Sequence, residues 1–224
     1  MGEIMEYKYL ILDFGDVLAY PVTGEWFITN KFMELIDVSK IDKVMFRDAI
    51  HKYRRILARR AMTLKEEEKI FYDFYKNVLR EIKYEIVNDE IIKELSYDYT
   101  YNCEKCNIYD DVVSSLDVLH KKYKLLLLSD NWPCGIEIMK YYEIDKYFLK
   151  MYISSVYGYL KEEGVFFDYP ISEYNIKPHE ALFIDDNEKV LDVAVSKGMD
   201  VKIMKRKKID ESKYPIITSL NEIN

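Results

Sequence analysis

The stretch KLLLLSDN, Lys124 to Asn131, sets four leucines in a row and then turns polar at once. Side chains of a strand alternate between its two faces, so an unbroken apolar run fits a strand covered on both sides, as in a parallel sheet packed between helices. Tyr9 to Asp13 repeats the design, with Leu10, Ile11 and Leu12 ending in Asp13, and so does Ala181 to Ile184, ending in Asp185-Asp186-Asn187. Met151 to Ile153, followed by Ser154, and Val201 to Met204 are shorter versions. These runs predict five strands.

Helical patterns separate the later strands. Asp110 can cap a helix carrying Val112, Val113, Leu116 and Leu119, and after Asp186 the residues Val190, Leu191, Ala194 and Val195 repeat the spacing before a stop at Gly198. Pro170 falls inside the segment after Gly164, which predicts a kinked or restarted helix there, because an interior proline removes a hydrogen bond and clashes. Strand and helix in alternation give an α/β fold: a Rossmann-like, three-layer core around a parallel sheet. The closing segment Tyr214 to Leu220 is expected to return against that sheet.

Between about Val22 and Ser96 the alternation stops and no strand is evident. Phe32, Leu35 and Ile36 begin one apolar face; Val44, Met45, Ala49, Tyr53 and Ile56 mark a second. Thr63-Leu64-Lys65-Glu66 has the form of a capping box, followed by Ile70, Phe74, Tyr75 and Val78 at helical spacing. We read residues 21–99 as a helical cap inserted after the first strand, and residues 1–20 with 100–224 as the core.

Composition narrows the partners. The chain has 224 residues, 49% of them hydrophobic, and a formal charge of −7, which opposes a general nucleic-acid surface while leaving room for a local anion site. The basic run Lys205-Arg206-Lys207-Lys208 reads as a solvated turn. The opening MGEIMEYKYL resembles neither a secretory signal nor a membrane span, so no membrane partner and a cytoplasmic location are expected. Cys103, Cys106 and Cys134, without a nearby histidine, read as ordinary thiols rather than a zinc site.

Chemistry is expected where strands end, because open parallel sheets bind ligands beyond the carboxyl ends of their strands. Asp13, Ser129, Lys161, Asp185 and Asp186 all fall on such ends or in the loops that follow. Taken singly, each has an ordinary reading, and Asp186 and Asn187 could equally cap the next helix. Taken together, three carboxylates in a small volume call for a cation; magnesium suits an all-oxygen site that also receives phosphate. A hydroxyl and a lysine complete what phosphoryl transfer needs.

In this order and spacing, Asp13-Phe14-Gly15-Asp16-Val17, Leu128-Ser129, Gly158-Tyr159-Leu160-Lys161 and Phe183-Ile184-Asp185-Asp186-Asn187 resemble the four motifs of the haloacid dehalogenase-like hydrolase superfamily, in its branch with a helical cap after the first strand. The resemblance implies that Asp13 is the nucleophile, that Ser129 binds the transferring group and that Lys161 holds both; Asp130, where relatives often carry asparagine, Asn131 and Trp132 follow Ser129 and are candidates to border the substrate. It implies Mg2+ on Asp13, the Gly15 carbonyl and Asp186, with Asp185 bound directly or through water. Such phosphatases carry a general acid two residues after the nucleophile; Gly15 stands there, and Asp16 offers a carboxyl one place later. The implied activity is magnesium-dependent hydrolysis of a small phosphorylated metabolite through an aspartyl-phosphate. The alternatives are a weakly active or non-catalytic protein that binds a metabolite or partner, and a 2-haloacid dehalogenase, for whose carboxylate substrate Asp185 and Asp186 are poor neighbours. Tyr20, Trp26, Arg47 and Arg54 are cap-side candidates for the pocket.

Overall fold

A computed structural model describes residues 7–84, 88–206 and 211–223. The chain enters through β1 (Tyr9–Leu12) and a short β2 (Ala19–Pro21). Four helices follow: α1 (Asn30–Leu35), α2 (Lys43–Leu57), α3 (Leu64–Glu81) and α4 (Asp89–Tyr101). Strand β3 (Cys106–Ile108) returns antiparallel to β2, so the two connections to the helical insert form one ribbon. Then come α5 (Val112–Lys122), β4 (Lys124–Ser129) and α6 (Pro133–Tyr141). Strand β5 (Lys150–Ile153) leads directly into the one-turn α7 (Ser154–Tyr157), and α8 (Val165–Tyr174) precedes β6 (Ala181–Asp185). The chain closes with α9 (Glu188–Ser196), β7 (Asp200–Met204) and β8 (Ile216–Ile217).

Six strands form a parallel sheet in the order β5-β4-β1-β6-β7-β8. The four leucines of β4 divide as their alternation requires: Leu125 and Leu127 join the core on one face, and Leu126 and Leu128 join the core on the other. Leu10 and Leu12 part from Tyr9 and Ile11 in the same way. Strand β1 lies in the middle, with β4 on one side and β6 on the other, so the chain's direction of winding reverses across it. That reversal opens a crevice beyond its carboxyl end.

The insert has its own core. Thr63 and Glu66 close the predicted capping box, and α3 buries Ile70, Phe71, Phe74, Tyr75 and Val78 against α2 and α4. Local contacts dock it on the sheet domain. Ala61 donates its backbone N–H to Ser155 O at 3.0 Å, and Trp132 Nε1 donates to Leu57 O at 3.1 Å.

Val113 and Val195, placed on apolar faces by their spacing, are exposed, and four further expectations need correction. Val44 and Met45 are exposed; α2 buries Ala49 as expected, but with Phe46 and Leu57, and packs Tyr53 and Ile56 against the same core. Asp111, not Asp110, stands at the start of α5, and its carboxylate bonds Arg206, Ser219 and the Leu220 N–H rather than the helix. Helix α8 runs through Pro170 without restarting, since one missing hydrogen bond is offset by burial of Phe166, Phe167 and Pro170. Arg206 is no solvated cation: its side chain is 5% exposed, bonds Val17 O at 2.6 Å and Asp111 Oδ1 at 2.7 Å, and lies over the Tyr109 ring. Lys207 and Lys208 lie outside the described residues.

A candidate active site at the carboxyl ends of the central strands

Strand β1 hands over directly to Asp13, whose backbone N–H bonds Ile184 O at 3.0 Å and so continues the β1–β6 ladder by one step. On the neighbouring strand, Asp185 ends β6 and Asp186 follows it. An oxygen from each of Asp13, Asp185 and Asp186 lies within 4.8 Å of the others. Lys161 Nζ reaches in from below, 2.6 Å from Asp185 Oδ2 and 2.8 Å from Asp13 Oδ1. The contact with Asp13 lacks the alignment of a hydrogen bond and acts through charge.

Each arm of this cluster is fixed by its own loop. Lys161 opens a single 3-10 turn, and its backbone N–H donates to Asp130 Oδ1 at 3.0 Å. Asp130 therefore ties the end of β4 to the lysine. Asp185 uses both oxygens inside the protein, Oδ2 on Lys161 and Oδ1 on the Asn187 N–H at 2.9 Å. Asn131 accepts from the Trp132 N–H through Oδ1 at 2.8 Å, and Gly135 is what makes room for it, since a Cβ there would sit 2.7 Å from Asn131 Nδ2.

The loop after β1 answers where Asp16 points. Asp16 takes a left-handed conformation, φ 52°, and its N–H bonds Ala19 O at 2.8 Å. That turn swings the carboxylate back into the cleft, where Trp26 Nε1 donates to it at 3.2 Å and the Tyr109 hydroxyl at 3.3 Å. The Trp26 ring lies over Gly15, so closely that a Cβ at position 15 would be 3.3 Å from Cζ2. Arg206, through Val17 O, clips the same loop from behind. Sequence reasoning passed over Arg206 because a basic run carries no sign of which member is buried.

Electrostatics favour a cation. Burial pushes Asp13 up to about 7, with Lys161 opposing and Asp185 and Asp186 adding to the rise. Asp186 is pushed up to about 6, first by burial and then by Asp185. Burial works against charge on Lys161, but Asp13, Asp185 and Asp130 outweigh it and hold the ammonium well above the usual lysine range. One lysine cannot balance three acids. Hard oxygen donors at this spacing match an octahedral shell, whose edges and diagonals are ~3 and ~4 Å for metal–oxygen bonds of ~2.0–2.1 Å. The donor set fits a divalent ion of the magnesium type.

Above the cluster lies a cleft of about 430 Å³. Asp13, Asp16, Ser129 and Asp186 line its core side; Trp26, Arg54 and Trp132 line its cap side. Of the expected cap residues, Tyr20 and Arg47 stay outside: Tyr20 packs on Tyr109, with ring centres 4.8 Å apart.

Sequence reasoning also missed a polar seam at the floor of the cleft. Glu67 of α3 is fully buried, and its Oε2 accepts the N–H of Cys134 in α6 at 2.8 Å. Lys105 Nζ donates to Tyr99 O and, at 3.1 Å, to Cys134 Sγ. Burial pushes Glu67 up to about 6 from its ordinary 4.5, with Lys105 pulling the other way. Because the folded pKa is raised, the folded state keeps a proton in that window that the unfolded chain has released. Stability is then highest below pH ~4.5 on this account and falls as pH rises through 6. Glu67→Gln should flatten this loss, worth about 2 kcal/mol at neutral pH, as read from urea midpoints at pH 5 and 7.5.

No family model and no curated protein matches the sequence. Solved structures do. What sheet and site define is a class of α/β proteins with acids at the tips of the central strands and a helical cap above them. More particularly, the chain has the haloacid dehalogenase-like fold. It is similar to the HAD-hydrolase YfnB of Bacillus subtilis bound to magnesium, at 15% identity over 97% of both chains with a TM-score of 0.73. It is similar to L-2-haloacid dehalogenase from Xanthobacter autotrophicus, at 14% identity over 97% of this chain and 96% of that one, TM-score 0.69. A HAD family enzyme from Bacteroides thetaiotaomicron, in complex with magnesium and inorganic phosphate, matches at 22% identity over 91% and 96%, TM-score 0.62.

Proposed function

We propose that this protein is a magnesium-dependent phosphomonoesterase acting on a small phosphorylated metabolite. The observation that carries the reading is Asp13, buried beside Lys161 yet lining an open cleft, with Asp186 across from it. Asp13, the Gly15 carbonyl and Asp186 would hold magnesium, with Asp185 behind them, and the bound ion would offset charge on the carboxylates and the phosphoryl oxygens.

One Asp13 oxygen attacks phosphorus, forming the aspartyl-phosphate while the ester P–O bond breaks and its electron pair leaves with the alcohol oxygen. Lys161 keeps Asp13 oriented, and the Ser129 hydroxyl and Lys161 meet the phosphoryl oxygens. Asn131 and Asp130 hold the loops that present them, and Trp132 walls the cleft. Asp16, aimed by Trp26 and Tyr109, passes a proton to the departing oxygen. Water then attacks phosphorus and gives a proton back to the Asp16 carboxylate, the bond between the Asp13 oxygen and phosphorus breaks with its electron pair returning to the Asp13 carboxylate, and inorganic phosphate leaves.

The reading is tested by phosphate release from a panel of metabolite esters with and without magnesium, in wild type and Asp16→Asn. General acid help is worth ~10²–10⁴-fold. Asp16→Asn should therefore lose about that much on alkyl phosphates but far less on 4-nitrophenyl phosphate, whose leaving group needs no proton. Equal losses on both would remove Asp16 from proton transfer. Chloride release from 2-chloropropionate would make the protein a dehalogenase, and tight ester binding without turnover would make it a binding protein.

A further inference from the structure

Asp16 keeps a left-handed conformation, which a non-glycine residue holds only where its surroundings over-determine it. Two residues that stand behind the cleft rather than in it, Arg206 and Tyr109, supply that constraint. They hold two consecutive carbonyls just after Asp16. Val17 O accepts from Arg206 Nη2 at 2.6 Å and from Nε at 3.1 Å, and Leu18 O accepts the Tyr109 N–H at 3.0 Å. The Tyr109 hydroxyl then reaches forward to Asp16 Oδ1 at 3.3 Å, while Trp26 Nε1 meets Oδ2 at 3.2 Å. A donor on each oxygen fixes the rotation of the carboxyl group as well as its place.

Arg206 also fixes Tyr109. Its guanidinium lies 4.3 Å from the centre of the Tyr109 ring, so one cation holds both the loop and the ring that aims its acid. The guanidinium is itself held, because Nη1 donates to Asp111 Oδ1 at 2.7 Å and to Thr218 O at 3.3 Å. The second Asp111 oxygen accepts from Ser219 Oγ and from the Leu220 N–H, both at 2.7 Å. With its side chain 5% exposed, Arg206 is a planar fork whose partners leave it one geometry. The segment after β8 is thus joined to Asp16 through Asp111, Arg206 and Tyr109.

Position 15 offers no alternative. Gly15 has no side chain, and the Trp26 ring fills the space over it, 3.3 Å from where a Cβ would stand. We infer that Arg206 and Tyr109 are positioning residues for Asp16, the pair that turns its carboxyl towards the departing oxygen. The inference rests on the phosphomonoesterase reading for the proton transfer, and on the geometry alone for the placing of the carboxyl.

The test uses Tyr109→Phe, which removes only the hydroxyl, and Arg206→Lys, which keeps the charge but cannot span Val17 O, Asp111 and the ring together. Each is made in wild type and in Asp16→Asn, and kcat is measured with magnesium on glycerol 3-phosphate and on 4-nitrophenyl phosphate. On glycerol 3-phosphate Tyr109→Phe should lose about 3–10-fold, the worth of one hydrogen bond. Arg206→Lys should lose about 10–100-fold there, the cost of misplacing a reacting group by about an ångström. On 4-nitrophenyl phosphate both should lose less than about twofold, since that leaving group needs no proton. In Asp16→Asn neither should lose more on either ester, because residues acting through one group are not additive. A merely structural role would depress both esters alike.

The second readout needs no turnover. The chain has two tryptophans, and their indole N–H groups have separate acceptors, Asp16 Oδ2 for Trp26 and Leu57 O for Trp132. In magnetic resonance spectra of isotope-labelled protein, Tyr109→Phe and Arg206→Lys should shift the Trp26 indole proton in the direction that Asp16→Asn shifts it. The Trp132 proton should stay in place. A Trp26 resonance that does not move, or rates that fall equally or not at all on the two esters, overturns the inference while hydrolysis upholds the phosphatase. A shifted Trp26 resonance in a protein that releases no phosphate from any ester upholds the placing of Asp16 and overturns the phosphatase.

Discussion

Asp13→Asn should abolish the proposed phosphate release while leaving the fold in place. Loss of a covalent nucleophile costs on the order of 10⁴–10⁶-fold in kcat. Asp186 belongs to the same acidic cluster, and Asp185 is fully engaged by Lys161 and the Asn187 N–H. The amide keeps the shape of Asp13, and Lys161 retains its 2.6 Å partner in Asp185. Removing the charge also relieves a strain of its own. Burial raises Asp13 to about 7 from 3.8, so in metal-free protein stability falls as pH climbs through that interval. Asparagine removes that fall. The expected result is therefore an inactive variant whose melting temperature without metal, at pH 7.5, equals or exceeds that of wild type. Magnesium should raise the wild-type melting temperature by mass action, by ~2.7 kcal/mol at a hundredfold excess over its Kd, and raise the variant's far less. A variant that keeps a tenth of wild-type turnover would end the nucleophile assignment.

The sheet was legible because its strands are buried on both faces. Four consecutive leucines in β4 admit few other readings, and the polar residues directly after β1, β4 and β6 show where the carboxyl ends lie. The acidic cluster was legible for the same reason, since strand ends in one parallel sheet share an edge. What stayed hidden depends on tertiary facing. Val44 and Met45 have helical spacing but face solvent, because a neighbour's position, not periodicity, selects the buried stripe. The β2–β3 ribbon joins three-residue strands too short to leave a pattern. Glu67 and Lys105 are charged residues in polar surroundings of sequence, and only the meeting of α3, α6 and the chain before β3 buries them. Asp16 is intermediate: its place beside the nucleophile was plain, but the left-handed turn that aims it into the cleft is one that aspartate adopts only occasionally, so the residue type alone does not announce it.

Lys161→Met should be the most destabilising single change in the site. Methionine fills similar volume, so packing is kept, but Asp13 and Asp185 lose the one cation among the described residues that touches both while they remain 7% and 1% exposed. Breaking a buried ion pair from one side costs ~3–5 kcal/mol, which for a chain of this size lowers the melting temperature by about 6–20 °C. Two further measurements separate charge from shape. Raising magnesium should recover part of the loss, since a divalent ion compensates the same carboxylates, whereas a void left by the lysine would not respond to it. Lowering the pH from 8 to 5.5 should also narrow the gap to wild type, because protonating Asp13 removes the charge that Lys161 had balanced. Lys161→Arg should not rescue, since a planar fork cannot replace a compact ammonium 2.6 and 2.8 Å from two oxygens in a fully packed space. A Lys161→Met protein whose melting temperature matches wild type at every pH would show that Asp13 and Asp185 are balanced by some other group, and the site's charge arrangement would have to be redrawn.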